Sequence, residues 1–206
     1  MTLYNLKPAF QARLRPWAAD LAGRGVTANQ VTLSAAAISL LVGGLVWLAG
    51  ARPVFLLLPL WLALRMAFNA VDGILAREHG QKSRLGAYLN ELGDVVSDAA
   101  LIAPFAILPP FGAFSVALIV VLALLTEFAG VLAQALGGAR RYDGPMGKSD
   151  RAFVLGLAGA WVGLGLPLPQ WSLYLLYLLA ALLVWTVVRR VRAGLAGAGR
   201  GVDGAA

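Results

Sequence analysis

The chain has 206 residues, 60% hydrophobic and only 13% charged, with a formal charge of +7 and no cysteine; its mean hydropathy is +0.77. That balance excludes an ordinary water-soluble domain and predicts an integral membrane protein, whose surplus lysine and arginine serve topology and anionic lipid heads rather than nucleic acid. Without cysteine there is neither a disulfide framework nor a thiolate metal site, and no short apolar core with a small-residue cleavage site predicts a removable signal at the N-terminus.

In chain order, the first element is an amphipathic helix within residues 1–26. Phe10, Leu14, Trp17 and Leu21 recur at helical spacing, while Lys7, Arg13, Arg15 and Asp20 lie elsewhere on the wheel, the pattern of a helix lying on a leaflet. Gly23 to Gly25 breaks it, and Thr27-Ala28-Asn29 offers cap residues for the next helix. Six apolar segments follow, each read as a transmembrane helix: Val31 to Ala49, Val54 to Val71, Leu85 to Leu108, Phe111 to Leu136, Phe153 to Leu166, and Trp171 to Val188. Pro104 predicts a kink in the third, Pro109-Pro110 ends it, and Leu166 to Gln170 forms a hairpin between the fifth and sixth. The many glycines and alanines suit close helix packing in lipid. The Gly- and Ala-rich stretch from Ala193 to Ala206 predicts a disordered tail. The expected fold is all-α: a membrane bundle of six transmembrane helices after an amphipathic interfacial helix, forming one domain over residues 1–192.

Charge orients the bundle. Lys7, Arg13, Arg15 and Arg24 precede the first span; Arg77, Lys82 and Arg84 fall between the second and third; Arg140, Arg141, Lys148 and Arg151 between the fourth and fifth; Arg189, Arg190, Arg192 and Arg200 after the sixth. The opposite loops hold only Arg52. The positive-inside rule then predicts a multi-pass protein of the cytoplasmic membrane with both termini cytoplasmic.

Against this apolar background stand Asn69, Asp72, Asn90, Asp94 and Asp98. Ionisable groups at bilayer depth are costly, about 2.5–3.5 kcal/mol for Asp on insertion scales, and are usually functional. Asn69 and Asp72 share a face at i, i+3; Gly86, Asn90, Asp94 and Asp98 step by four along one slowly rotating stripe. Carboxylate and amide oxygens, with His79 as the sole histidine, suit Mg²⁺, Mn²⁺ or Ca²⁺ rather than zinc. Mg²⁺ commonly completes its shell with phosphate oxygens, so a phosphate-bearing substrate is expected. Gly73 and Gly86 open the backbone to a ligand, and Arg77 offers a planar fork for a phosphate.

The stretch Asn69-Ala-Val-Asp72-Gly73-Ile-Leu-Ala76-Arg77, eight residues, then Gly86-Ala-Tyr-Leu-Asn90-Glu-Leu-Gly-Asp94 resembles the signature of the CDP-alcohol phosphotransferases. The resemblance implies transfer of a phosphatidyl group from CDP-diacylglycerol to the hydroxyl of a polar alcohol, with release of CMP, in phospholipid biosynthesis. It implies Mg²⁺ or Mn²⁺ as cofactor, a homodimer, and metal ligation at Asn69, Asp72, Asn90 and Asp94, with Asp94 also the catalytic base. Gly73, Ala76, Arg77, Ser83 and Gly86 are implied to line the nucleotide site, and Asn29 and Thr32 to contact the cytidine diphosphate. Asn69 and Asn90 stand where the family carries acids, so Glu91 or Asp98 is expected to compensate. These amides also motivate an alternative, a nucleotide-binding membrane regulatory protein with impaired turnover. A cation transporter fits less well, for want of internal repeats.

Several charged residues carry two readings. Arg65 suits an ion pair with Asp72 or another buried carboxylate, or equally a phosphate contact. Glu127 is expected to face the bundle and pair, with Arg65 as candidate partner. Lys148 and Arg151 are acceptor-binding candidates for an anionic alcohol, with glycerol 3-phosphate the leading acceptor and inositol phosphate or serine open. Arg189, Arg190 and Arg192 read as lipid-head contacts, and His79 as a loop residue.

Overall fold

The computed structural model describes residues 7–202, and the side chains of 8–197. These residues form seven α-helices and no strand: α1 Lys7–Gly23, α2 Ala28–Ala49, α3 Leu57–Glu78, α4 Arg84–Ile102, α5 Gly112–Ala135, α6 Lys148–Gly163 and α7 Ser172–Val202. Each of the six expected apolar segments is helical. Four stretches are long and apolar enough to cross a membrane: Ala28–Ala49, Arg52–Glu78, Gly112–Ala135 and Ser172–Gly197. The other two differ for plain reasons, since α4 carries Glu91, Asp94 and Asp98 and α6 has only 16 residues.

The helices group into two compact units, Met1–Pro104 with Ala152–Pro167, and Phe105–Arg151 with Leu168–Ala206. In the first, α2 packs against both α3 and α4, and α1 packs against α3. Gly43 permits the α2–α4 approach: a Cβ there would overlap the Ala100 carbonyl. Within the same unit, Gly159 and Gly163 of α6 admit Leu58 and Leu56, as expected for small residues that set interhelical distance. Arg52 donates to the Leu166 carbonyl at 2.6 Å, so the two connections read as lying on one side do meet.

The apolar stripe of α1 is shared between two surroundings. Ala18, Leu14, Leu21 and Ala22 pack with Val71, Ile74 and Leu75 of α3, whereas Trp17 is 72% exposed and Phe10 is exposed beside it. The stripe is wider than α3 can cover, leaving an aromatic edge suited to a membrane interface. Thr27 caps α2 with a capping box, its Oγ1 accepting from Gln30 N–H at 3.2 Å while Gln30 Oε1 accepts from Thr27 N–H at 2.9 Å.

Two expectations change. Where a kink is expected at Pro104, α4 ends at Ile102 and a 3₁₀ stretch, Ala103–Ile107, takes over, because a proline ring suits a tightened helix end better than a helix interior. The chain after Ala193 is not a tail as far as Val202, because α7 continues through it; its alanines keep a helix already nucleated by the apolar span, despite the glycines. Residues 203–206 and 1–6 of those two terminal expectations lie outside the described residues.

Candidate active site

The first unit builds its polar site around α2. Its capped first turn sets Asn29 and Thr32 one turn apart on one face. Thr32 Oγ1 lies 3.0 Å from the Ala28 carbonyl and donates to Asp72 Oδ2 of α3 at 2.9 Å. On the other flank, a Cβ at Gly86 of α4 would stand 2.8 Å from Asn29 Oδ1, and one at Gly93 would stand 3.8 Å from Thr32 Cγ2. Both halves of the signature therefore meet Thr32 of α2, and the second also meets Asn29. α3 and α4 lean on α2 rather than extensively on each other.

Arg65 crosses between α3 and α4. Its Nη1 donates to Asp98 Oδ1 at 2.6 Å, and its Nη2 to the Asp94 carboxylate and carbonyl, each at 3.2 Å. The guanidinium is 3% exposed. This resolves the two readings of Arg65 toward the ion pair, with Asp94 and Asp98 rather than Asp72. It also engages Asp98, one of the two carboxylates expected to compensate for the amides; Glu91 is half-buried.

The nucleotide-site candidates cluster at the end of the α3–α4 hairpin. The exposed Arg77 side chain folds back along its own helix, so that a Cβ on Gly73 would sit 2.8 Å from Arg77 Nη2. Gly73 is what lets the guanidinium lie there. Ser83 is the N-cap of α4, its Oγ accepting from Gly86 N–H at 2.9 Å. Ala76 is half-buried against the α1 contact, where a larger side chain would hold α1 off. Sequence reasoning missed Gln81: its Oε1 accepts from Ala28 N–H at 2.6 Å and its Nε2 donates to the Val26 carbonyl at 3.3 Å. These bonds tie the α3–α4 loop to the start of α2, and no spacing signal announces such a loop amide. His79 ends α3 and is exposed, as a loop residue should be.

A divalent cation can be tested against these donors. Asn69 Nδ2 is buried with no hydrogen-bond partner, which marks a position where a ligand acceptor, or a cation on the flipped amide oxygen, belongs. Asp72, Asp94 and the amides of Asn69 and Asn90 are hard oxygen donors suited to Mg²⁺ or Mn²⁺. No three of His, Cys, Asp and Glu gather as a metal-holding group among the described residues. A cation here must draw on amide and substrate oxygens as well as carboxylates, and the residues fit one on those terms.

The second unit gathers arginines on one acid. Arg140 Nη2 lies 3.1 Å from Glu127 Oε2, Arg151 Nη2 2.9 Å from Oε1, and Arg190 Nη1 3.4 Å from Oε2. Arg151 also donates to Thr126 Oγ1 at 3.0 Å and to the Met146 carbonyl at 3.1 Å, and Arg190 donates to the carbonyls of Thr126 and Asp143. Two expectations are corrected. Glu127 pairs with these three and not with Arg65. Arg190, 1% exposed, is a buried ion-pair member rather than a lipid-head contact, because helical phase turns it onto the α5 face while Arg189 and Arg192 stay exposed. Lys148 starts α6 in this same unit.

Residues 25–189 match the family model for CDP-alcohol phosphatidyltransferase. The chain is 51% identical over 192 residues to the inner membrane protein YnbA of Escherichia coli, covering 93% of this chain and 96% of that one. It is 30% identical to phosphatidylinositol phosphate synthase of Mycolicibacterium smegmatis, covering 91% and 86% of the two chains. The crystal structure of Mycobacterium tuberculosis phosphatidylinositol phosphate synthase with CDP-DAG bound superposes with a TM-score of 0.71 at 25% identity, covering 87% of this chain and 92% of that one. A second structure of that enzyme, in complex with manganese and citrate, shares the fold at 24% identity and a TM-score of 0.71. The chain belongs to the CDP-alcohol phosphatidyltransferase family and is an enzyme of that transferase class.

Proposed function

We propose that this enzyme transfers the phosphatidyl group of CDP-diacylglycerol to the hydroxyl of a phosphorylated polyol, releasing CMP, at the cytoplasmic face of an inner membrane. The observation that carries this reading is the double role of α2: Thr32 holds Asp72 at 2.9 Å while Asn29 lies against Gly86. Both halves of one signature thus share one post. The CDP-DAG complex of the M. tuberculosis enzyme supports the donor.

In this reading Asn29, Thr32, Gly73, Ala76, Arg77, Ser83 and Gly86 form the nucleotide site. Gly73 clears the space from which the Arg77 guanidinium meets a phosphate oxygen, and Gly86 leaves room for Asn29 beside the donor. Asn69, Asp72, Asn90 and Asp94 would hold Mg²⁺ or Mn²⁺; the manganese complex of the M. tuberculosis enzyme is consistent with that choice. When bound, the cation neutralises diphosphate charge and stabilises the leaving group. Asp94 takes the proton of the acceptor hydroxyl, whose oxygen attacks the phosphorus bearing diacylglycerol; the bond to the CMP oxygen breaks and CMP leaves with that electron pair. Arg65, bound to the Asp94 carboxylate, keeps the base aimed.

Lys148 and Arg151 are the acceptor candidates, Arg151 being held in one orientation by Thr126, Met146 and Glu127. Glycerol 3-phosphate is the first acceptor to test, and inositol phosphate the second, since relatives are phosphatidylinositol phosphate synthases. The proposal includes six transmembrane passes, with α4 and α6 completing the four long apolar ones, cytoplasmic termini, an interfacial α1 bearing Trp17, and a homodimer. The test is release of labelled CMP from CDP-diacylglycerol with Mg²⁺ or Mn²⁺ across an acceptor panel. Nucleotide binding without turnover on any acceptor would overturn it in favour of a regulatory protein.

A further inference from the structure

We infer that Gln81 is a positioning residue for the nucleotide: its side-chain amide clamps the α3–α4 loop to the start of α2 and so holds Asn29 and Ser83 together. This rests on the nucleotide-site reading above and adds to it a residue from the spacer between the two halves of the signature. The clamp has two arms. Gln81 Oε1 accepts from Ala28 N–H at 2.6 Å, and Gln81 Nε2 donates to the Val26 carbonyl at 3.3 Å. These backbone groups flank Thr27, the N-cap of α2. One donates and the other accepts, a demand that an amide side chain meets at both ends and that fixes which end is oxygen.

The contacts close a circuit. Ala28 is bonded to Asn29, and Gln81 stands two residues before Ser83. Ser83 Oγ accepts from Gly86 N–H at 2.9 Å as the N-cap of α4. A Cβ at Gly86 would stand 2.8 Å from Asn29 Oδ1 and 3.0 Å from Ser83 Oγ, so the two side chains converge over that glycine. Helical spacing sets Ser83 against Gly86 within α4 but says nothing of Asn29, which belongs to another helix. The Gln81 amide supplies that link. Its far anchor is firm, because Val26 packs against the buried cluster of Ala18, Ile74 and Leu75. Ala28 is 6% exposed, so removing the amide strands a buried donor. Gln81 thus acts through Asn29 and Ser83, with no part in proton transfer. Glutamate would keep the Ala28 arm and lose the Val26 arm; methionine would keep the length and lose both.

The test is CDP binding by calorimetry, with CMP release alongside, for purified full-length wild type, Gln81→Met, Gln81→Glu, Asn29→Ala and Asn29→Ala/Gln81→Met. Gln81→Met is expected to weaken CDP binding and raise the donor KM about tenfold, the scale of one or two net hydrogen bonds, while kcat and the acceptor KM change less than about twofold. In the Asn29→Ala background the same substitution is expected to cost less, because one of the side chains it places is gone. A merely structural role would give equal losses in both backgrounds. That result, or wild-type CDP binding by Gln81→Met, would overturn the inference. Should Gln81→Met fail to fold, Gln81→Glu carries the same comparison with one arm lost. Wild type that binds CDP yet releases no CMP with any acceptor overturns the transferase reading, and the binding comparison still decides this inference. Wild type that binds no CDP overturns both.

Discussion

Arg65 and Asp98 form a 2.6 Å ion pair between α3 and α4, with side chains only 3% and 11% exposed. Neither charge is well solvated, so each depends on the other. Removing one partner of a buried pair commonly costs about 3–5 kcal/mol; here Asp94 continues to hold the guanidinium, so Asp98→Ala is expected near the lower end, about 3 kcal/mol. Asp98→Asn keeps an acceptor and should lose less. Thermal unfolding in one detergent, with both variants side by side, reads the difference. An Asp98→Ala protein as stable as wild type would mean the pair contributes nothing.

Gly73→Ala separates a local role from a structural one. Alanine is favoured over glycine in a helix interior by up to about 1 kcal/mol, and the atom that its Cβ meets is the far end of the Arg77 side chain. Stability should hold or rise while Arg77 is displaced, so the KM for the CDP-linked donor is expected to increase severalfold. Unchanged donor KM would show that Arg77 does not work from its place over Gly73.

Thr32→Val removes the hydroxyl that Asp72 accepts from. A hydrogen bond to a charged group is worth about 1.5–3 kcal/mol, and Asp72 is 6% exposed. Weaker Mn²⁺ binding is expected with Thr32→Val and near-normal binding with Thr32→Ser. Equal binding by the two would mean that the hydroxyl does not orient the carboxylate.

Adjacent glycines of α2 give a paired test of packing. A Cβ at Gly43 would overlap the Ala100 backbone, whereas Gly44 has nothing within 4 Å. Gly43→Ala is expected to destabilise by about 1–3 kcal/mol, as overpacking does, and Gly44→Ala to be neutral or stabilising. The contrast, measured by unfolding, should be lost if α2 and α4 pack further apart.

Much of this was legible in the sequence because it is local. The Thr27 cap, the Gly23–Gly25 break and the positions of the apolar helices follow from turn chemistry and hydropathy. The spacing of Gly86, Asn90 and Asp94 places them on one stripe of α4 without any tertiary information. What was not legible is which charge meets which. Arg189, Arg190 and Arg192 read identically as a basic run, and only the phase of α7 against α5 buries Arg190 with Glu127. Arg65 could be read as pairing with Asp72 or another buried carboxylate, and that the carboxylates are Asp94 and Asp98 follows from how α3 and α4 come together around α2, which hydropathy does not encode. The length of α7 was underestimated for a related reason: composition describes a free segment, and this one continues a long helix.

The most direct measurement is acceptor-dependent release of CMP from CDP-diacylglycerol by purified wild type and Asp94→Asn, with Mg²⁺ or Mn²⁺ supplied. Positioned general bases contribute about 10²–10⁴-fold, so the account expects CMP release by wild type with a phosphorylated polyol and a loss of at least about 10²-fold in Asp94→Asn, with CDP binding retained. Wild-type turnover in Asp94→Asn, or no CMP release by wild type with any acceptor, would contradict it.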